Sequence, residues 1–262
     1  MFLVLPAFAA ESTFVGADAA GQAFDKPVSH LAASLGGAFT SGNTRTYTLN
    51  ATLTGDHRWH ANKVGADMGA NLGRSVIDAD ADGHIDPEER DAGWTETARK
   101  AWVDARYDRY VGKRDSLYTL GGALVDPFAG YDSRSHVQLG YSRVLVQGKA
   151  LGLVAELGAD GAYEDFVEGV EPPSAWVLSV RAMVGTSYAF NTAVSFTDKL
   201  ELYENVLTPV DIRVLNGAQL TSKLADRFSL SLTHSLTFDN QPVEGYQKLD
   251  HTVTVAFVAS IL

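Results

Sequence analysis

The sequence predicts an all-β fold: a transmembrane, antiparallel, up-and-down β-barrel of about twelve strands. Apolar and polar residues alternate with period two along most of the chain, the alternating segments are long, and their connections are short and long in turn. A membrane barrel turns one face of each strand to lipid and the other to its lumen, and this arrangement produces such an alternation.

The clearest alternation covers residues 228–238. Phe228, Leu230 and Leu232 share one face with Leu236 and Phe238, while serine and threonine fill every odd position from 229 to 237. A period of two is typical of a strand with one apolar and one polar face. Segments 47–53, 176–190 and 253–261 repeat the pattern. Extended over the chain, it predicts strands centred near residues 35, 50, 67, 103, 120, 139, 156, 182, 198, 217, 233 and 255.

The lengths of these segments and of their connections favour a membrane barrel over a soluble sandwich. The predicted strands have about 10 to 15 residues, more than the roughly 9 to 11 that a tilted strand needs to cross a bilayer. Short connections at 57–62, 112–116, 147–150, 189–192 and 225–227 alternate with longer ones at 41–45, 75–93, 126–133, 167–174, 204–211 and 239–248. Tight periplasmic turns and longer external loops give this rhythm.

Aromatic residues lie close to the ends of the predicted strands. Trp59, Tyr188, Phe190 and Phe228 lie beside short connections. Aromatic side chains at this level form the girdles by which membrane barrels meet the lipid–water interface.

Charged residues occupy the polar face in the middle of the predicted strands. A lysine or arginine that faced lipid at this depth would cost about 2 to 4 kcal/mol. These side chains are therefore expected to point into the lumen: Asp67, Asp104, Arg106, Asp108, Glu156, Arg181, Lys199, Glu201, Arg213 and Lys223.

The composition excludes several classes of function. The 32 acidic residues outnumber the 21 basic ones, the formal net charge is -11, and no basic cluster points to nucleic acid. Because the chain has no cysteine, disulfide frameworks and thiol chemistry are excluded. No apolar run reaches the roughly 18 residues of a spanning helix.

Two regions are expected along the chain. Residues 1–29 form a lead-in, whose apolar first ten residues end in small side chains at Ala9 and Ala10, as a truncated signal peptide would. An ordinary buried segment is the alternative interpretation of that run. Residues 30–262 form the barrel, with an insertion at 74–93.

Within this insertion, one segment breaks the strand pattern and carries chemistry. Residues 78–89 match the EF-hand loop at every defining position. Aspartates supply side-chain oxygens at positions 1, 3 and 5, a glycine allows the turn at position 6, a backbone carbonyl contributes at position 7, and two further acids complete the site at positions 9 and 12. The predicted ligands are Asp78, Asp80, Asp82, His84 (through its carbonyl), Asp86 and Glu89.

The predicted cofactor is a single calcium ion, because the donors are all oxygen and Mg²⁺ demands a tighter octahedral geometry. Ile85 is the apolar anchor of the loop, and Pro87 suits the first turn of a short exiting helix. The segment before the loop is predicted as a strand, so no entering helix is expected, and no second loop is found to pair with this one. A solvated acidic loop is the alternative interpretation. An isolated site of this kind is expected to be weak, with a dissociation constant of about 10⁻⁴ to 10⁻³ M.

Several segments resemble the outer-membrane proteins of the domain of unknown function 481 family, also called the salt-induced or YdiY-like family. They are residues 39–44 (FTSGNT), 126–134 (DPFAGYDSR), 139–145 (LGYSRVL) and 249–257 (LDHTVTVAF). The resemblance covers roughly residues 30 to 262 and implies an outer-membrane barrel with no established activity. The family pattern does not require the EF-hand insertion, and the chain ends Ser260-Ile-Leu262, whereas such barrels commonly end in Phe.

The function predicted from these features is that of a monomeric outer-membrane barrel of unassigned role that binds calcium in an external loop and contacts membrane lipid and lipopolysaccharide. A narrow passive pore with a charged lumen is the alternative, and a soluble secreted β-rich domain is the alternative fold. An outer-membrane lipid hydrolase is the less favoured alternative, and an enzyme is not expected. The pairs His136 with Ser142 and His234 with Ser235 lack a G-x-S-x-G nucleophile elbow, and the H-x-x-H pair of His57 and His60 has too few metal ligands.

Overall fold

The structure is a computed structural model that describes residues 24–41, 45–80 and 85–261, and within them twelve strands. The predicted leader at residues 1–10 lies outside the described residues. A six-residue helix, α1 (Pro87–Ala92), lies between the third and fourth strands. The strands are β1 (Phe24–Thr40), β2 (Arg45–His60), β3 (Asn62–Val76), β4 (Thr95–Tyr110), β5 (Asp115–Asp126), β6 (Tyr131–Gln147), β7 (Leu151–Phe166), β8 (Ser174–Ala189), β9 (Val194–Asn205), β10 (Ile212–Lys223), β11 (Phe228–Asp239) and β12 (Leu249–Ser260).

The strands form one closed barrel in which each pairs with its neighbours in sequence and β12 returns to β1. Every pairing is antiparallel. This confirms the predicted up-and-down barrel, and each predicted strand centre falls inside an observed strand. The connection predicted at 126–133 is shorter than expected, because Asp126 caps a 3₁₀ turn over Pro127–Ala129 and β6 already begins at Tyr131.

The two faces of the wall differ as the period of two predicts. The outer face is a belt of exposed large apolar side chains, such as Leu139 at 62%, Leu157 at 59% and Trp176 at 74%. So many exposed large apolar side chains are unfavourable in water but suit lipid, which argues against the soluble alternative. No helix within the described ranges is long and apolar enough to cross a bilayer.

The inner face carries the charges. Asp104, Arg106, Asp108, Glu156 and Arg181 are at most 4% exposed and point into the lumen, as expected from the cost of turning them toward lipid. Of the remaining predicted inward charges, Asp67, Lys199 and Glu201 are also buried, whereas Arg213 and Lys223 are half-buried.

The pairing between β1 and β12, which closes the barrel, is shorter than the pairings between the other strands. β1 pairs with β12 from Ala32 opposite Ser260 to Gly36 opposite Ala256, whereas β1 pairs with β2 up to Thr40. The part of this pairing near the short connections is therefore hydrogen-bonded, and the pairing stops at Gly36, four residues before the end of β1.

Candidate metal centre and the charged lumen

The segment between β3 and β4 is held at both ends by buried apolar side chains. Val76, the last residue of β3, is 6% exposed, and Ile85 is 4% exposed, as expected for the anchor of such a loop. Helix α1 follows at once, with Pro87 in its first turn. The Asp86 side chain accepts a hydrogen bond from the Glu89 backbone N–H (3.0 Å), and Glu89 Oε2 accepts from the Asp86 backbone N–H (3.1 Å). This capping box fixes where the helix begins.

Three of the predicted ligands converge in this segment. One carboxylate oxygen each from Asp78, Asp80 and Glu89 lies within 4.8 Å of the others. Glu89 is 9% exposed, and its Oε1 accepts a hydrogen bond from the Ala79 backbone N–H at 2.5 Å. One Glu89 oxygen therefore accepts a backbone hydrogen bond at the start of the loop, and the other accepts one at its end. The side chains at positions 1, 3 and 12 of the loop point toward one another.

The rest of the predicted ligand set is only partly described. Asp86 at position 9 acts as the helix cap, whereas Asp82, Gly83 and His84 lie outside the described residues. The chain enters the loop from a strand, as predicted, and leaves it through α1. The donor set that the structure describes consists of carboxylate oxygens alone, which fits a hard cation such as Ca²⁺ better than a transition metal that takes imidazole or thiolate.

A second group of charges fills the middle of the lumen. Arg106 donates to both carboxylate oxygens of Asp108 (2.8 and 2.9 Å) and to both of Glu156 (2.7 and 3.1 Å). Arg181, with no exposed surface, donates to Glu156 at 2.9 Å and to Glu201 at 2.8 Å. Lys199 lies 3.2 Å from Glu201. We call these six residues the lumen network; its three cations balance its three carboxylates.

Side-chain hydrogen bonds that cross the lumen stabilise the lumen network. Arg106 on β4 reaches Glu156 on β7. The Arg181 guanidinium on β8 donates to the Tyr118 hydroxyl on β5 at 2.8 Å, and Gln138 on β6 donates to the Tyr203 hydroxyl on β9 at 3.2 Å. Each of these bonds joins strands three places apart in the barrel order. The interior between β4 and β9 is therefore spanned by side chains at this level.

A third group, the loop-side cluster, lies where the strands approach the long connections. Arg134 donates to Glu164 at 3.1 Å and lies 3.7 Å from Asp160. Arg213 on β10 donates across the barrel to the same Glu164 on β7, and its Nε lies 3.0 Å from Asp239. The cluster consists of the two cations Arg134 and Arg213 and the four carboxylates Asp160, Glu164, Asp211 and Asp239, so it carries an excess of negative charge.

Residues 33–261 match the sequence family described as "Protein of unknown function, DUF481". The chain belongs to this family. The match covers the whole barrel apart from the first part of β1, as the resemblance of its sequence segments predicted. No curated protein matches the sequence.

Solved membrane barrels share the fold of this DUF481 protein at low sequence identity. The NanC porin superposes with a TM-score of 0.53 at 12% identity, over 88% of this chain and all of the porin. The COG4313 outer membrane channel from Pseudomonas putida F1 superposes with a TM-score of 0.50 at 11% identity, over 96% of this chain and all of the channel. At these identities the likeness is one of fold.

The histidine–serine pairs of this DUF481 chain do not form catalytic dyads. His136 and Ser142 both face the lumen but lie six residues apart on β6, a distance of about 20 Å along a strand. Nε2 of His136 lies 3.2 Å from an oxygen of Asp104 instead. His234 and Ser235 are neighbours on β11 and therefore point to opposite faces of the wall.

The H-x-x-H pair of the same chain lies at the turn between β2 and β3. His57 bonds to the Ser29 hydroxyl at 2.8 Å and stacks on Trp59 with ring centroids 5.4 Å apart. His60 adopts a positive φ of 47° at the turn. The described residues around the pair supply no group of three metal-ligating side chains.

Two features of the structure were not predicted from the sequence. Tyr118, Gln138 and Tyr203 take part in the hydrogen bonds across the lumen, and their positions in the strand alternation would have placed them on the inward face. His234 and His251 break the apolar belt on the outer face of β11 and β12, with ring centroids 6.1 Å apart. The signal for these two was also present, since each occupies an apolar-face position of its alternating segment.

Proposed function

We propose that this protein is an outer-membrane β-barrel that binds one calcium ion in a loop on the extracellular side, between β3 and β4. The observation that carries the proposal is the convergence of Asp78, Asp80 and Glu89 to within 4.8 Å of one another, at positions 1, 3 and 12 of an EF-hand-type spacing.

The local structure supports a site of this kind. The buried Ile85 and the capping box of Asp86 and Glu89 hold the exit of the loop in place. The carboxylates of Asp78 and Glu89 then face each other at a separation at which like charges repel, and a divalent cation removes this repulsion. We expect bound calcium to order the loop and to join phosphate groups of neighbouring lipopolysaccharide to the barrel.

The outer-membrane location is proposed from the fold and the pattern of connections. The exposed apolar belt suits lipid, and the two solved structures that share the fold are, by name, a porin and an outer membrane channel. The calcium loop is among the longer connections, which such barrels place on the external side.

Isothermal titration of CaCl₂ into the detergent-refolded barrel tests the proposal. The wild type is expected to bind one ion with a dissociation constant of about 10⁻⁴ to 10⁻³ M, and MgCl₂ to bind more weakly. Glu89→Gln should abolish binding; its one amide oxygen can still accept the capping hydrogen bond from the Asp86 N–H, whereas the hydrogen bond from the Ala79 N–H is lost. The matched control is Glu88→Gln, which removes the same charge from the neighbouring, exposed position and should bind as the wild type does.

An Asp78→Ala, Glu89→Ala double variant adds a second comparison. The proposal fails if neither the wild type nor Glu88→Gln binds calcium, or if the double variant and Glu89→Gln bind as tightly as the wild type does. In the first case the segment is an acidic insertion, and function must lie in the lumen.

A narrow passive passage is the second candidate function, and the loop-side cluster favours it. Its two cations and four carboxylates leave a negative excess at the external end of the lumen. Such an excess attracts cations and repels anions. Conductance in a planar bilayer tests this function: a K⁺ over Cl⁻ preference in a salt gradient supports it, and a barrel that remains silent at all voltages contradicts it.

A further inference from the structure

Strands β1 and β12, whose pairing closes the barrel, are not paired with each other in the part nearest the long connections, as far as the structure describes them. In the register that pairs Gly36 with Ala256, the next inward positions, Ala38 and Thr40, would match Thr254 and Thr252. Among the described residues, no register pairing joins 38–40 of β1 to 252–254 of β12, although each segment pairs with its other neighbour. We call these two segments the seam.

An open strand edge is costly at membrane depth. Lipid offers no hydrogen bonds to backbone N–H and C=O groups, so irregular backbone persists only where it is buried in protein or lines a polar cavity. The apolar side chains on the outer rim of the seam belong to the lipid-facing belt, since Phe39 is 65% and Val253 64% exposed. The seam therefore lies beside hydrocarbon.

The lumen behind the seam is accessible, in contrast to the opposite wall. Between β4 and β9 the inward side chains of the lumen network are buried. On β12 and β1 the inward residues are small, and Thr252, Ala38 and Thr40 are exposed while Thr254 is half-buried. The seam thus joins an apolar outer rim to a hydroxyl-lined space inside the barrel.

Polar groups at the seam suit a zwitterionic ligand. His251 lies on the outer face of β12, and its imidazole can donate to a phosphate oxygen there. On the inward face of the same strand, the hydroxyls of Thr252 and Thr254 can accept hydrogen bonds from an ammonium group. Asp250, inward and exposed at the top of the same strand, can pair with an ammonium group. No hydrogen bond or ion pair joins these four side chains to another described residue.

His234 adds a second polar side chain to this part of the outer face. Its ring packs edge-on against His251 on the lipid side of the belt. An ionisable side chain that faces hydrocarbon is unfavourable unless a polar partner meets it there.

We propose that the seam is a lateral binding site for a zwitterionic phospholipid. The acyl chains stay in the bilayer against Phe39 and Val253, the phosphate is bound by His251 on the outer side of the open edges, and the ammonium group is bound on the inner side by Asp250 and the threonine hydroxyls. A second copy of the chain or an extended peptide that adds a strand to the open edges is the competing occupant.

A disulfide across the seam tests the proposal, and the chain has no cysteine to interfere. Ala38 and Thr254 form a non-hydrogen-bonded pair in the extended register, because the Ile261 N–H donates to Leu31 C=O in the same register. Such pairs have Cα atoms about 4.5 Å apart, within the range of a disulfide. The double variant Ala38→Cys, Thr254→Cys locks the seam when oxidised. The control, Ala32→Cys with Ser260→Cys, crosslinks the part that is already paired.

The readout is native mass spectrometry of the full chain with dioleoyl-phosphatidylethanolamine, and with anionic dioleoyl-phosphatidylglycerol as the comparison. The reduced seam variant and the oxidised control should bind the ethanolamine lipid, and the oxidised seam variant should lose binding. His251→Ala should weaken binding about tenfold, the effect of one charge-assisted hydrogen bond. His57→Ala, which alters an exposed histidine on β2, should leave it unchanged.

Three results would overturn the proposal: equal lipid binding by the oxidised and reduced seam variants, equal binding of the two lipids by the wild type, or disulfide-linked dimers through Thr254→Cys alone, which would identify a second copy as the occupant. If the seam cysteines resist oxidation while the control pair crosslinks, the edges stay apart. That outcome supports the open seam, and the His251→Ala comparison then decides on the ligand.

Discussion

Replacing Arg181 with methionine should destabilise the barrel more than any single change on its outer face. Methionine keeps much of the volume but removes the charge and every donor. Arg181 has no exposed surface, and its guanidinium donates to Glu156, Glu201, Tyr118 and Tyr203 at 2.8 to 3.2 Å.

The magnitude follows from what remains around the substitution. Two buried hydrogen bonds to carboxylates are lost, at about 1.5 to 3 kcal/mol each, and breaking a buried ion pair costs about 3 to 5 kcal/mol. Glu156 keeps Arg106 and Glu201 keeps Lys199, so the lower part of this range applies. We expect the free energy of unfolding to fall by about 3 to 4 kcal/mol.

Urea unfolding of the detergent-refolded barrel, followed by tryptophan fluorescence, measures this loss. The matched control is Arg143→Met, because Arg143 is outward-facing, its side chain is 55% exposed, and its ion pair with Asp115 has an N–O distance of 3.2 Å. An exposed pair of this kind contributes at most about 1 kcal/mol. If Arg181→Met loses no more stability than Arg143→Met does, the lumen network is not what holds the interior together.

Further predictions concern the loop, the wall and the lumen. Millimolar calcium should slow trypsin cleavage after the exposed Arg90 in the wild type but not in an Asp78→Ala variant; equal cleavage rates with and without calcium would contradict ordering of the loop. Gly140→Ala should lower the free energy of unfolding by about 1 to 3 kcal/mol in the same urea assay, because its Cβ would lie 2.5 Å from a buried tyrosine ring. The control Gly121→Ala, whose nearest neighbour is 3.8 Å away, should change it little, and equal losses would show that the ring does not restrict the site. Arg213→Ala should increase the negative excess of the loop-side cluster and shift the reversal potential further toward K⁺, and an anion-selective variant would refute this electrostatic account.

The architecture of the barrel could be predicted because its physical basis is local. Period-two alternation along a segment such as 228–238 depends only on which face of the strand points to the lumen and which points to lipid. The inward charges followed from the same parity together with the cost of burying them in lipid. The predicted ligand positions at Asp78, Asp80 and Glu89 followed from a fixed spacing, and the structure brings these three side chains together.

What could not be predicted depends on which strands face each other across the lumen. The alternation of faces places Arg106 and Glu156 inside the barrel. Only the closed barrel shows that a hydrogen bond between them joins two strands that are three places apart. The short register between β1 and β12 was likewise hidden, because Phe39 and Val253 fit the alternation whether or not their strands pair.

The bonds across the lumen also bear on how the barrel is assembled. Arg106 and Glu156 are 50 residues apart in sequence, and Arg181 and Tyr118 are 63 apart, so neither bond can form until several hairpins are in place. Contacts between such distant parts of a chain form late and slow folding. Contacts that are absent from the transition state chiefly set the rate of unfolding. The lumen network should therefore contribute little to the rate of insertion and should mainly slow the unfolding of the finished barrel.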